Sequence, residues 1–281
     1  MKLILLAASF SIAAAQTPDI DTIMHRVAIN QAKSQDARKD YIYRQNQLLR
    51  MIRGGGKLAR EERREYAVVP KDRGISRELT KFEGKYESNG KYVAYAEPGY
   101  HYKGLDLDSD LIDDLSNDLT DNQDGRDGLS PDLFPLTYHQ QLKYDFKLLG
   151  TAGDRGRQVY RVSFEPKKRP RGHFDTDDCG AWKGEALIDA EEFQPHTIST
   201  HLAWKIPAAV KTLLGTNVTG LGFNLAYRKF ADGLWFPVSV GGEFEFRAVF
   251  FYKRTMTVAV TNSDFRRADV NSSIAYATED K

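Results

Sequence analysis

From 218 to 262 the chain alternates apolar and polar side chains with scarcely a break. Leu221, Phe223, Leu225 and Tyr227 fall on one parity, and Gly222, Asn224, Ala226 and Arg228 on the other. After Ala231, Asp232 and Gly233 the pattern resumes, with Leu234, Phe236, Val238, Val240, Phe244 and Phe246 opposed to Ser239, Glu243, Glu245 and Arg247. A period of two marks strands, because successive side chains of an extended chain point to opposite sides. Each strand then has one greasy face and one wet face, which predicts an antiparallel sheet covering a core or a cavity on one side only.

Other segments fit round this meander. Pro18 and Asp19 suit a helix start, and Ile20, Ile23, Met24 and Val27 give a helical stripe, so a helix over 18–38 is expected to lie across the sheet. Tyr41 to Arg53 and Lys57 to Val69 read as a hairpin turning at Gly54, Gly55 and Gly56. Residues 106–130 break the composition with aspartate. Leu111, Leu115 and Leu119 with Ile112 predict an amphipathic helix with an acidic, solvated outer face, followed by a polar loop from Asp121 to Ser130. Strands are expected around Leu142, Tyr144, Phe146 and Leu148 and around Tyr160, Val162 and Phe164. A hairpin from Trp182 to Ile188 and Thr197 to Trp204 follows, and then a short helix from Ile206 that stops at Gly215. With neither repeat nor linker, residues 16–281 are expected to form a single domain, mainly β of the α+β kind: a large curved antiparallel sheet or half-open β-barrel with its N-terminal helix and short helices on the concave face.

Composition narrows the function. Lys2, the apolar run Leu3 to Ala15 and its Ala13-Ala14-Ala15 ending have the form of a secretory signal peptide over 1–15, so an exported, periplasmic or otherwise extracytoplasmic protein is expected. That run is too short to span a bilayer and no later stretch approaches the length, so no transmembrane segment is expected. Removing Lys2 leaves 40 − 1 = 39 basic residues against 39 acidic ones, a balance that does not fit a nucleic-acid binder. The lone Cys179 excludes an internal disulfide.

Candidate chemical motifs fail on spacing. Gly54-Gly55-Gly56-Lys57 lacks the phosphate-loop glycine, where Met51 stands, and its Ser or Thr, where Leu58 stands. Asp121, Asn122, Asp124, Gly125 and Asp127 miss the calcium-loop spacing, and His173, Asp175, Asp177, Asp178 and Cys179 lack a second His or Cys for zinc. There is no nucleophile elbow, so neither catalytic residue, metal nor cofactor is expected, and the protein reads as a non-enzyme. The basic clusters Arg50, Arg53, Lys57, Arg60, Arg63 and Arg64, and Lys167, Lys168, Arg169 and Arg171, read as a solvated strand face and a solvated loop. Arg254 has two readings. Unbroken alternation from Phe244 to Val260 puts it on the apolar face as a head-group contact, whereas a hairpin or bulge around Phe250 to Lys253 that shifts the register returns it to solvent. The Lys253-Arg254 pair suits a turn and favours the second.

The pieces 182-WKGEALID-189, 195-PHTISTHLAW-204, 206-IPAAVKTLLG-215, 234-LWFPVSV-240 and 244-FEFRAVFFYKRTMTVAV-260, with the helix at 18–38, resemble the bacterial lipoprotein-carrier superfamily of LolA/LolB type. The aspartate-rich insertion at 106–130 departs from that pattern, and no family arginine aligns. The resemblance implies a half-open barrel sheltering lipid or lipoprotein acyl chains, as in outer membrane lipoprotein sorting in the cell envelope. Trp182, Trp204, Phe223, Phe236, Phe244, Phe246, Tyr252 and Arg254 are the residues expected to contact the ligand. The alternative is a non-catalytic envelope adaptor or sensory protein with a packed interior, binding other envelope proteins.

Overall fold

The computed structural model describes residues 17–71, 75–120, 135–167, 182–203, 216–219, 222–230, 233–248 and 252–268. The leader expected at 1–15, the loop 121–130, the His173 to Cys179 cluster, Trp204 and the helix expected at 206–215 lie outside the described residues. The helices are α1 (Ile20–Arg38), α2 (Leu107–Thr120) and the single turn α3 (Tyr138–Gln141). The strands are β1 (Tyr41–Arg53), β2 (Leu58–Pro70), β3 (Ile75–Ser88), β4 (Lys91–Tyr95), β5 (Tyr144–Asp154), β6 (Arg157–Pro166), β7 (Trp182–Asp189), β8 (Pro195–Leu202), β9 (Thr216–Thr219), β10 (Gly222–Lys229), β11 (Trp235–Ala248) and β12 (Tyr252–Arg267).

Asp19 caps α1 from outside the helix, its carboxylate accepting from the Thr22 amide at 2.8 Å, and this hydrogen bond holds the Asp19 carboxyl below its ordinary range. The expected first hairpin forms as β1 and β2, and Gly56 takes the left-handed conformation its turn requires (φ 78°). All strands pair antiparallel into one curved, open sheet in the order β4-β3-β2-β1-β12-β11-β10-β8-β7-β6-β5, with β9 added beside β11. Strands β3 and β4, unforeseen in the sequence, extend the sheet at one end. Register shifts that leave an extra residue on β2, β3, β5, β8, β11 and β12 mark bulges, which strengthen the twist that curls the sheet.

The registers align one cross-strand row over most of the concave face: Leu148, Val162, Ala186, Ile198, Leu225, Val240, Val260, Gln47, Arg64 and Phe82. The next row runs Phe146, Phe164, Gly184, Thr200, Phe223, Gly242, Val258, Leu49, Glu62, Gly84 and Tyr95. Both rows are dominated by apolar residues and glycine from β5 to β12 and turn charged on β2. Helix α1 packs over the apolar part near β5 and β11, and α2 over β1 and β2. Burial of Ile23, Met24 and Val27 from α1 and Ile112 from α2 completes a core with Leu49, Met51, Phe164, Ile188, Ile198 and Met256. Two glycines of the second row, Gly84 and Gly242, leave room for a ring on the next strand. A Cβ at Gly84 would lie 2.4 Å from the Tyr95 ring. Gly84→Ala is therefore expected to displace Tyr95 and lower stability by about 1–3 kcal/mol, measured by urea denaturation.

Candidate functional site

The two helices are attached to the concave face by different chemistry. Helix α1 is fixed by neutral hydrogen bonds to the turn between β7 and β8. Asn30 Nδ2 donates to the Glu192 carbonyl (2.7 Å), Gln31 Nε2 to Gln194 Oε1 (2.5 Å), and Gln194 Nε2 to Ser34 Oγ (2.9 Å). At its C-terminal end the buried Arg38 donates from Nε to the Trp235 carbonyl (2.8 Å), with its guanidinium near the Tyr227 and Phe236 rings.

That turn is anchored in turn by Asp189, which is fully buried. Its carboxylate accepts from Arg157 and from the amides of Glu191 (3.0 Å) and Glu192 (2.8 Å), and faces His196 Nε2 at 3.2 Å. His196 Nδ1 lies 2.8 Å from Asp154 Oδ2 on the other side of the ring. Burial alone would raise the Asp189 pKa; the Arg157 hydrogen bonds and the two amides outweigh it and bring it down to about 2.

Helix α2 is held by ions. Asp106 and Asp108, at its start, and Asp113, one turn on, point into the sheet against arginines of the concave face. Arg60, fully buried, donates from Nη2 to Asp106 Oδ2 (3.1 Å) and to the Tyr100 carbonyl (2.7 Å). Arg254 donates from Nε and Nη2 to the two oxygens of Asp108 (2.8 and 3.1 Å), and Tyr252 Oη donates to the same carboxylate at 2.6 Å. Arg64 bridges Asp113 and Glu62. Burial works against the Arg64 charge, but Glu62 and Asp113 outweigh it and raise its pKa. Burial, reinforced by Asp108, likewise pushes the Tyr252 phenol up. Tyr95 Oη donates to Glu62 (2.6 Å), and its ring lies 4.7 Å from the Arg60 guanidinium within a cluster of Tyr86, Tyr95, Tyr100 and Tyr102. Farther along, Ser116 Oγ donates to Gln47, Gln47 to Gln45, and Gln45 to Asn262.

Two expectations are corrected here. The aspartates of α2 are not all on a solvated outer face, because Asp106 and Asp108 are buried. Nor is the first hairpin's basic cluster a solvated strand face throughout, since Arg60 and Arg64 are buried while Arg63 stays exposed. Arg254 follows neither reading in full. β11 and β12 pair antiparallel, Ala248 with Tyr252 and Phe246 with Arg254, and Arg254 shares the parity of Met256, Val258 and Val260 on β12. Arg254 thus faces inward, with Asp108 as its counter-charge.

Of the other expected contact residues, Phe223 is buried in the apolar part, and Trp182 packs edge-on against it at 5.4 Å. Tyr252 belongs to the ionic part. Register puts Phe244 opposite Met256. Phe236 lies elsewhere: a register shift near Pro237 moves it off the parity of Val240, and it packs instead with Tyr41, Phe230 and Phe265. Sequence reasoning missed Arg60, Glu62, Arg64, Asp106 and Asp113. The available signal was the alternation Arg60, Glu62, Arg64 within a strand whose paired neighbour, β1, has Leu49 and Met51 on its matching positions. On the opposite, convex face lie indentations of about 390 Å³, lined by Leu48, Arg63, Glu65, Lys81 and Ala259, and about 580 Å³, lined by Ile42, Arg44, Tyr66, Val69 and Arg266.

No family model matches the chain, and no curated protein matches it. Among solved structures, it is similar to a putative outer membrane lipoprotein-sorting protein domain from Vibrio parahaemolyticus, at 10% identity over 90% of this chain and 95% of that one, with a TM-score of 0.42. It is similar also to a LolA superfamily protein from Nitrosomonas europaea (9% identity, 90% and 95% covered, TM-score 0.36) and to a DUF1329 family protein from Desulfovibrio piger (13%, 91% and 96%, TM-score 0.37). At these scores the similarity is one of general sheet shape.

Proposed function

We propose that the protein is an exported binding protein that holds an apolar ligand, such as a lipid or the acyl chains of a lipoprotein, on the concave face, with α2 as its movable cover. The observation that carries this reading is the contrast between the covers. Helix α1 is tied down through a buried hydrogen-bonded turn, whereas α2 sits over β1 and β2 through Ile112 and through buried carboxylate–arginine pairs, whose charges regain water when it lifts. Beside it, across β1, the apolar row from Leu148 to Val260 begins on β12. Each methylene transferred onto such a surface contributes about 0.8 kcal/mol, so one or two acyl chains suffice for tight, reversible binding. No step in this mechanism makes or breaks a covalent bond, which is why the reading is a carrier and not an enzyme.

The test is uptake of a fluorescent polyene fatty acid by the protein lacking its leader, followed by energy transfer from tryptophan. Saturable uptake is expected, with transfer that drops in Trp182→Phe, because Trp182 packs on Phe223 in the apolar part. Absence of uptake, with a ligand-free mass after purification from an exported preparation, would overturn the reading and favour the packed envelope adaptor.

A further inference from the structure

We propose that Arg60, Arg64 and Arg254 form a binding site for the anionic head group, carboxylate or phosphate, of an amphiphile, and that Asp106, immediately before α2, and Asp108 and Asp113 within it occupy that site as internal stand-ins while the cover is shut. The inference rests on the carrier reading and gives its ligand a chemical class.

Lifting α2 leaves positive charge behind. All three arginines lie on the concave face of the sheet, on β2 and β12 either side of β1: Arg60 is paired with Met51, Arg64 with Gln47, and Arg254 with Arg53. Their carboxylate partners, within α2 and immediately before it, leave with it. The concave face then retains three guanidiniums against Glu62, a net charge of 3 − 1 = +2 among these groups. An uncharged ligand would leave this excess positive charge in a partly dehydrated site, with Glu62 for Arg64 and backbone carbonyls for Arg60 and Arg254 as the remaining partners, which is costly. An anionic head group replaces what α2 removes, and the flat fork of a guanidinium matches the two oxygens of a carboxylate or phosphate, as Arg254 already does with Asp108.

Arg60 supplies an independent observation. It is wholly buried, and among the described residues its Nε and Nη1 have no hydrogen-bond partner. Asp106 and the Tyr100 carbonyl use only Nη2, so Arg60 retains donor capacity that its carboxylate partner leaves unfilled. The charged end adjoins the apolar one, since Arg60 lies across β1 from Met256, with Met51 between. One amphiphile can therefore meet both, its chain on the apolar rows and its head at the arginines.

The experiment compares a long-chain fatty acid with its methyl ester, each displacing the polyene probe. The acid is expected to bind about tenfold more tightly, about 1.4 kcal/mol, with the advantage shrinking as salt rises. Arg254→Gln should bring the acid-to-ester ratio close to one and Arg254→Lys should restore part of it, with circular dichroism confirming that both fold. Asp108→Asn, which neutralises a stand-in while keeping its shape, should raise acid affinity severalfold. Equal binding of acid and ester by the natural protein, or an Arg254→Gln variant with an unchanged ratio, would overturn the head-group site and leave the carrier reading intact. Failure of both compounds to displace or bind would overturn the carrier reading itself. Inorganic phosphate at matched concentration should leave the acid bound; full displacement would make this a free-anion site and overturn the amphiphile.

Discussion

Asp189→Ala is expected to destabilise the protein by about 3–5 kcal/mol, lowering its melting temperature by on the order of 10 °C. The loss reflects how many groups depend on one buried carboxylate. Arg157, partly exposed, can turn to Glu192, but the Glu191 and Glu192 amides lose their acceptor and the buried His196 loses its Nε2 partner at the same time. The same turn carries Gln194 and the Glu192 carbonyl that fix α1, so the effect should reach the helix, and amide exchange in α1 should quicken along with unfolding. A milder variant isolates the charge. The folded pKa of Asp189, near 2, lies below its unfolded value of 3.8, so its contribution is complete above about pH 4 and disappears as pH falls through 2. Over that window it amounts to about 2 kcal/mol, and Asp189→Asn should flatten the acid limb of the stability curve by that amount. An acid limb unchanged by the substitution would mean that the carboxylate is no better stabilised in the folded chain than in the unfolded one.

The parts of this fold that were legible in the sequence are those in which one strand face is greasy and the other wet. Strand β10 shows the rule, with Phe223, Leu225 and Tyr227 buried and Asn224 and Arg228 exposed. The rule fails on β2, where 60-REERRE-65 is charged on both parities, and on β3, where 75-ISRELTKFEGKYES-88 offers little contrast. There burial is decided by partners that arrive from elsewhere in the chain. Arg60 is buried because Asp106 meets it 46 residues later, and a periodicity confined to one strand contains nothing of that pairing. Phe236 shows a second limit: its alternation with Val238 and Val240 is regular in sequence, yet the register shift near Pro237 breaks the geometric parity. Arg254 shows the converse, a parity shared with Met256, Val258 and Val260 on β12.

Arg60→Ala should cost about as much as Asp189→Ala, about 3–5 kcal/mol, since it leaves Asp106 buried without its cation and empties the space beside the Tyr95 ring. Arg60→Met combined with Asp106→Leu is expected to behave quite differently, with a stability within about 1 kcal/mol of the natural protein or above it, because exchanging a whole buried ion pair for apolar volume removes two dehydration costs along with one attraction. Chemical denaturation of the single and double variants gives the comparison directly. If the pair were present for stability, the double variant would be as weak as the single one. The carrier reading demands a further difference that stability cannot supply: an α2 that keeps its Asp108–Arg254 and Asp113–Arg64 pairs but has apolar contact in place of the Asp106–Arg60 pair has fewer ions to exchange with water and should open less often. Amide exchange within α2 should therefore slow in the double variant and fatty-acid uptake should slow with it, although the fold is intact. Slower exchange with unchanged uptake would separate the motion of α2 from ligand entry. On the carrier reading, an ionic fastening differs from an apolar contact of equal strength in the water its charges regain when it opens.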